Sequence, residues 1–133
     1  IGLRIRLPLA SGLLTGKFGP AARFAPGDHR FFTRGGMFFD KGETFAGVPY
    51  DAGLRAVSRL KELFPESTRL AHVALNWILI NGEVSCIIPG ASSPGQVRSN
   101  LEALTFPGFT EEQKRAITAI YEEDIKPLVH HLW

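Results

Sequence analysis

Apolar and polar residues alternate over Leu3-Arg4-Ile5-Arg6-Leu7, the two-residue period of a strand, and Pro8 closes the run. A second apolar run, Val84 to Ile88, barely alternates; a short, almost wholly apolar segment predicts a strand covered on both faces, as in a parallel sheet. Between and beyond these strands the spacing is helical. Leu54, Val57, Leu60 and Phe64 form one face behind Asp51, a candidate cap, and Pro65 marks the end. From about Arg69 to Ile80 apolar residues occupy most of the circumference, which predicts a helix buried on more than one side. Ser67 or Thr68 is its expected cap and Asn81-Gly82 its close. Pro94 suits the first position of a helix presenting Val97, Leu101 and Leu104 to a core. Thr110 and Gln113 spell a capping box for a last helix, with Ile117, Ile120 and Tyr121 on one face. Ile125 to Trp133 reads as irregular.

Residues 18–49 carry no sustained period. They hold Pro20, Pro26, Gly27, Gly35, Gly36, Gly42 and Gly47, yet also seven of the ten phenylalanines. A loop this long signals function or disorder in a compact domain. The phenylalanines argue for a packing surface. The order strand, long loop, two helices, strand, two helices implies a parallel α/β sheet. Two strands are too few for one, whereas a (β/α)8 barrel needs eight and about 250 residues. The expectation is a piece of a larger fold, and a chain opening at Ile1 inside a strand pattern fits it.

Composition narrows the classes. With 133 residues, 44% of them apolar and 21% charged, the chain can bury the core of one domain and is no disordered tail. No apolar run approaches the ~18–20 residues of a membrane span, so no membrane is expected as a partner. The net charge of +2 comes from scattered Lys and Arg, without the basic stripe of a nucleic-acid binder. Cys86 is the single cysteine, no Cys/His spacing suits zinc, and a reducing cytoplasm is the expected setting. On an apolar strand, Cys86 is expected to be inert core.

Two stretches can carry chemistry. Val84 to Asn100 runs from a strand through a glycine turn into a helix N-terminus, which offers unpaired N–H groups and the positive end of a dipole to a phosphate. Ser92 and Ser93 add hydroxyls, and Gln96 and Asn100, four residues apart, share one face. The same residues would equally serve as a plain helix cap with two solvated amides, and local physics leaves both readings open. Pro8 to Lys17 also follows a strand and would open on the same side of a sheet. It is no Walker A loop: Gly12 and Gly16 enclose three residues, and Phe18 follows Lys17. Lys17 and Arg30 could still meet a phosphate. Glu122-Glu123-Asp124 reads as a solvated helix end.

Pro8-Leu9-Ala10-Ser11-Gly12-Leu13-Leu14-Thr15-Gly16-Lys17-Phe18 resembles the loop after the seventh barrel strand of aldo-keto reductases. Ile87-Ile88-Pro89-Gly90-Ala91-Ser92, with Gln96 and Asn100, resembles that family's loop and helix after the eighth. The resemblance covers nearly the whole chain, including Asp28-His29-Arg30 and Ala74-Leu75-Asn76-Trp77-Ile78. It implies the C-terminal portion of a (β/α)8 TIM barrel, strands seven and eight with their helices. Residues 1–133 would lie within that one domain, incomplete on their own, with residues 18–49 as a long loop inside it.

The resemblance further implies NADP(H) as cofactor. Pro8, Leu9, Ala10, Ser11 and Lys17 would lie along its diphosphate, Arg30 at the adenosine end, and Gly90, Ser92, Gln96 and Asn100 around the adenosine phosphate and adenine. Ser99 departs from the pattern, since many relatives carry Glu there for the adenine amino group. Gly90, where many relatives have Lys, belongs to the branch with the longer loop. The implied activity is NADPH-dependent reduction of an aldehyde or ketone. The family's catalytic Asp, Tyr, Lys and His belong to the first four strands, and no residue of this chain matches their motifs. The rival readings are a non-catalytic relative that keeps the cofactor loops, such as a channel auxiliary subunit, and a small autonomous binding module.

Overall fold

The computed structural model describes residues 1–33 and 47–132. Strand β1 (Leu3–Arg6) pairs in parallel with β2 (Val84–Ile88), with Ile5 opposite Ile87 and Arg6 opposite Ile88. After β1 the chain makes a kinked 3-10 turn (Ala10–Thr15) and reaches a short helix, α1 (His29–Thr33), inside the stretch expected to be all loop. Helices α2 (Tyr50–Glu62) and α3 (Leu70–Leu79) carry the chain back to β2. After β2 come α4 (Pro94–Glu102) and α5 (Glu111–Ile120). Parallel neighbours need such a crossover, because a hairpin can only join antiparallel ones.

Residues 34–46 of the loop expected over 18–49, Phe38 and Phe39 among them, lie outside the described residues. The expected irregular tail is helical instead: α5 passes through a π-turn (Tyr121–Ile125) into α6 (Lys126–Val129) and a final 3-10 turn (His130–Leu132). Arg59 of α2 explains part of this. It bonds Glu123 at 2.8 Å and Asp124 at 2.7 Å, so the acidic run is a tether to α2, not a free helix end.

Both caps assigned to the crossover helices move. Pro49, extended at ψ 138°, precedes α2, and Asp51 sits inside the first turn, where its charge still meets the positive helix end. Arg69 occupies the cap position of α3 and its side chain makes no capping bond, so neither Ser67 nor Thr68 caps the helix. Asn81 does close α3, its Nδ2 donating to the carbonyls of Trp77 and Ile78. The two later caps stand as the sequence implied. Ser93 Oγ accepts from the Gln96 N–H with Pro94 next in line, and Thr110 and Gln113 form the full reciprocal box.

The main core joins the 3-10 turn to the crossover helices. Leu13, Tyr50, Val57, Leu70 and Val73 are buried together, flanked by Phe18, Phe64, Phe106 and Phe109. Trp77 meets Phe109 edge-to-face at 5.2 Å. The burial expected elsewhere is not found. β2 is largely exposed, Cys86 included, and Val97, Leu101 and Leu104 of α4 remain 50%, 60% and 65% accessible. In the described residues these side chains have no apolar layer to face.

Gly53 lies inside α2 because Leu13 presses on it: an added Cβ would stand 2.5 Å from Leu13 Cδ2. In an exposed helix, Gly→Ala gains about 1 kcal/mol. Here overpacking costs about 1–3 kcal/mol, so Gly53→Ala should lower stability, and a rise in the urea midpoint would contradict this packing.

Candidate functional site

Both strands end at one edge of the pair, since Arg6 is opposite Ile88, and the segments that follow face each other across a groove of about 1520 Å³. One wall is the turn after β1, the other the turn after β2 with the start of α4, and the starts of α1 and α3 complete the rim. Pro8, Leu9, Ser11, Lys17, Arg30, Gly90, Ser92, Gln96 and Asn100 all line it; Ala10 does not, and belongs to the turn's backbone.

The first wall is conformationally strained. Leu7, Ala10 and Ser11 have φ of 50°, 45° and 54°. Left-handed backbone costs a non-glycine residue on the order of 1–3 kcal/mol and persists only where its surroundings over-determine it. Here Ala10 N–H donates to Leu7 O, Gly12 N–H to Leu9 O, and Thr15 Oγ1 to Gly12 O at 2.6 Å. Gly12 and Gly16, at φ 92° and 70°, supply the positions that only glycine takes cheaply. From outside, Lys61 Nζ of α2 donates to Gly16 O at 2.6 Å, and Arg30 Nη1 to Ser11 O at 3.3 Å.

Arg30 is itself fixed. Its Nε donates to Asp28 Oδ1 at 2.9 Å, its Nη2 pairs with Asp28 Oδ2, and the guanidinium lies 5.3 Å from the Phe18 ring centre and 4.9 Å from that of Phe24. The hydrogen bond from Arg30 lowers the Asp28 carboxyl from its ordinary 3.8 to about 2. The same bond raises the Arg30 guanidinium further. Arg30 is therefore a pre-set cation whose forked N–H groups are turned on Asp28. His29 Nε2 stands 3.5 Å from Ser11 Oγ, and Lys17 is exposed at the rim.

On the second wall, Gln96 is exposed and Asn100 half-buried, and both are tied down. Gln96 Oε1 accepts from the Ser92 N–H at 2.6 Å and the Ser92 hydroxyl at 3.1 Å, and Asn100 Nδ2 donates to Gly90 O at 3.3 Å. They brace the turn to the helix. With its oxygen engaged, Gln96 offers the groove its amide N–H groups, and Asn100 offers its Oδ1. Lys17, Arg30, Lys61 and Arg69 outnumber Glu62 and Glu66 along the lining, which favours an anionic occupant. Among the described residues no group of His, Cys, Asp and Glu could hold a metal, and no helix is long and apolar enough to cross a membrane.

Sequence reading missed Lys61, Arg69 and His72. Lys61 meets Gly16 across 45 residues, and Arg69 and His72 of α3 reach Ser99 of α4 across 30 and 27 residues. No local pattern marks such contacts.

The family model described as the Aldo/keto reductase family matches residues 1–122. Over 109 residues the chain is 36% identical to a probable voltage-gated potassium channel subunit beta of Arabidopsis thaliana, covering 78% of this chain and 30% of that protein. It is 34% identical to the protein of the same description in Oryza sativa subsp. japonica, over 95% of this chain and 37% of the relative. It is 32% identical to the L-glyceraldehyde 3-phosphate reductase of Escherichia coli O157:H7, over 80% and 29%. The chain thus spans about a third of the length of these curated relatives. Among solved structures, the glycerol dehydrogenase of Gluconobacter oxydans superposes with a TM-score of 0.67 at 26% identity, over 90% of this chain and 34% of that one.

Because the Asp28 carboxyl lies below its ordinary 3.8, its pairing with Arg30 contributes fully above that pH and is lost as pH falls through about 2. The Arg30 Nε–H signal in an NMR titration should therefore persist at pH 4 and collapse toward pH 2. In Asp28→Asn it should be broadened already at neutral pH; an unchanged signal in that variant would contradict the pairing.

Proposed function

The chain belongs to the aldo/keto reductase family, and we propose that it forms the cofactor-gripping, C-terminal part of that family's (β/α)8 barrel, with β1 and β2 as strands seven and eight. One observation carries the reading. A strained turn and a capped helix N-terminus, each following a strand, open at the same edge of a parallel pair and line one cation-rich groove. That edge is where α/β barrels bind their ligands.

The residues fit NADP(H). Ser11 and its neighbours Pro8, Leu9 and Ala10 form a wall set before any ligand arrives, with Lys17 beside it for the diphosphate. Arg30 both adds charge and holds the Ser11 carbonyl. Ser92, Gln96 and the N-terminal N–H groups of α4 suit a phosphate on the adenosine half. The space beside Gly90, where an added Cβ would meet nothing within 4 Å, leaves room for it. Asn100 extends the same wall. When bound, the cofactor supplies hydride to an aldehyde or ketone, and this chain's part is to bind and orient it. The proton donor belongs to barrel strands whose motifs this sequence does not contain, so the chain alone does not turn over substrate. A cytoplasmic reductant pool suits such a protein.

The 36% identity to a probable potassium channel β subunit favours one second reading, a relative that binds the same cofactor as an auxiliary subunit. Carbonyl-dependent NADPH oxidation by a protein that joins this chain to the remaining strands separates the two.

Fluorescence titration of the 133-residue chain tests the cofactor assignment. NADPH should bind about tenfold or more tightly than NADH, and Lys17→Met should weaken NADPH by about tenfold, the worth of one charged hydrogen bond. Equal affinity for the two dinucleotides, or NADPH consumption by this chain alone, would overturn the assignment.

A further inference from the structure

Tyr50, Gly53, Val57 and Lys61 succeed one another on α2 at steps of three and four residues and so share one face. That face lies against the turn after β1. Leu13 is buried with Tyr50 and Val57, and its side chain presses on Gly53. Tyr50 Oη donates to Gly19 O at 3.0 Å, and Lys61 Nζ donates to Gly16 O at 2.6 Å. One stripe of α2 thus holds two carbonyls of this segment and seats its buried leucine.

Gly16 is constrained twice. At φ 70° it takes a conformation that other residues adopt only at a cost, and a Cβ there would stand 2.6 Å from Lys61 Cε. The lysine stem fills the space a side chain would need. The peptide that follows is gripped on both edges: its oxygen accepts from Lys61, and its N–H, that of Lys17, donates to Thr15 Oγ1 at 3.3 Å. A peptide unit is planar, so a donor on one edge and an acceptor on the other set its orientation. Thr15 Oγ1 in turn donates to Gly12 O at 2.6 Å, which carries the constraint back to the left-handed residues Ala10 and Ser11. Lys17 leaves from the gripped peptide, and both lysines line the groove.

We propose that Lys61 is a positioning residue: its ammonium latches the turn after β1 in its strained conformation, and α2 thereby sets the groove wall that carries Ser11 and Lys17. Left-handed residues persist only where their surroundings hold them, and a hydrogen bond from a cation holds a carbonyl about twice as strongly as a neutral one. The effect on a ligand rests on the dinucleotide reading above, whereas the effect on the turn does not. Neither requires that a particular part of the ligand meet a particular wall.

Amide hydrogen exchange of the ligand-free 133-residue chain tests the latch. The Gly12 and Gly16 N–H groups, bonded to Leu9 O and Leu13 O, report on the turn. Lys61→Met keeps the apolar stem and removes the cation; it should speed exchange at both by about tenfold or more and leave the amides of α5 unchanged. Gly16→Ala should evict Lys61 from the carbonyl, so in that background Lys61→Met should add nothing. Unchanged exchange at Gly12 and Gly16 in Lys61→Met, an acceleration shared equally by α5, or an undiminished effect of Lys61→Met beside Gly16→Ala would each overturn the latch. If Lys61→Met fails to fold, Gly16→Ala alone decides, since slow exchange of the Gly12 amide in that variant would show the lysine bond to be dispensable. Fluorescence titration then reads the consequence: Lys61→Met should weaken NADPH by about tenfold, and Lys61→Arg, which can still donate to Gly16 O, by about threefold or less. Faster exchange with unaltered NADPH affinity would overturn the positioning role. If the unsubstituted chain binds no NADPH, the cofactor reading falls and the exchange result alone judges the latch.

Discussion

The parallel pairing of β1 with β2 is the constraint on which everything else at the site depends. Parallel neighbours cannot be joined by a tight turn, so the chain must leave the first strand, pass through α2 and α3, and enter the second from the same end. The register, with Arg6 opposite Ile88, then sets the two exits at one height. Neither exit makes a groove without the other. The turn after β1 contributes strained backbone and cationic side chains, and the turn after β2 contributes a capped helix end. The sheet is small, but it is the ruler that sets the distance between them.

The parts legible in the sequence are those whose physics is local. Ser93 followed by Pro94, and Thr110 followed by Gln113, name their own helix starts, because a cap is satisfied within four residues. The strands were legible for a similar reason, since alternation or its absence is written into a handful of neighbours. The candidate residues around Ser11 and Gln96 were singled out through resemblance, and the fold brings all of them but Ala10 to one groove. Lys61 on Gly16, and Arg69 and His72 on Ser99, were not, because each contact joins segments far apart in the chain. Nor could residue type reveal left-handed backbone at Leu7 and Ala10, which ordinary residues avoid.

Burial was misjudged where it depends on neighbours and not on the residue itself. Val97, Leu101 and Leu104 follow helical spacing, and Val84 to Ile88 has the composition of a strand covered on both faces, yet both surfaces are open. An apolar pattern records what a segment is suited to lie against. By contrast Leu13, Val57 and Leu70 find partners within the chain, and the core forms around the turn that carries Ser11. The packing thus favours the wall of the groove over the faces of the sheet. In the barrel reading, further strands and helices would cover those faces.

The separation of the paired strands also bears on the order in which the molecule assembles. Arg6 and Ile88 lie about eighty residues apart, and closing so long a loop delays the contact relative to helices that form within microseconds. The α2–α3 unit, with Leu13 docking onto Gly53, can assemble from nearer contacts first. The groove would then be among the last features to form and, by the same logic, the first to open. A ligand spanning its two walls would act as a non-covalent staple across the longest loop in the chain.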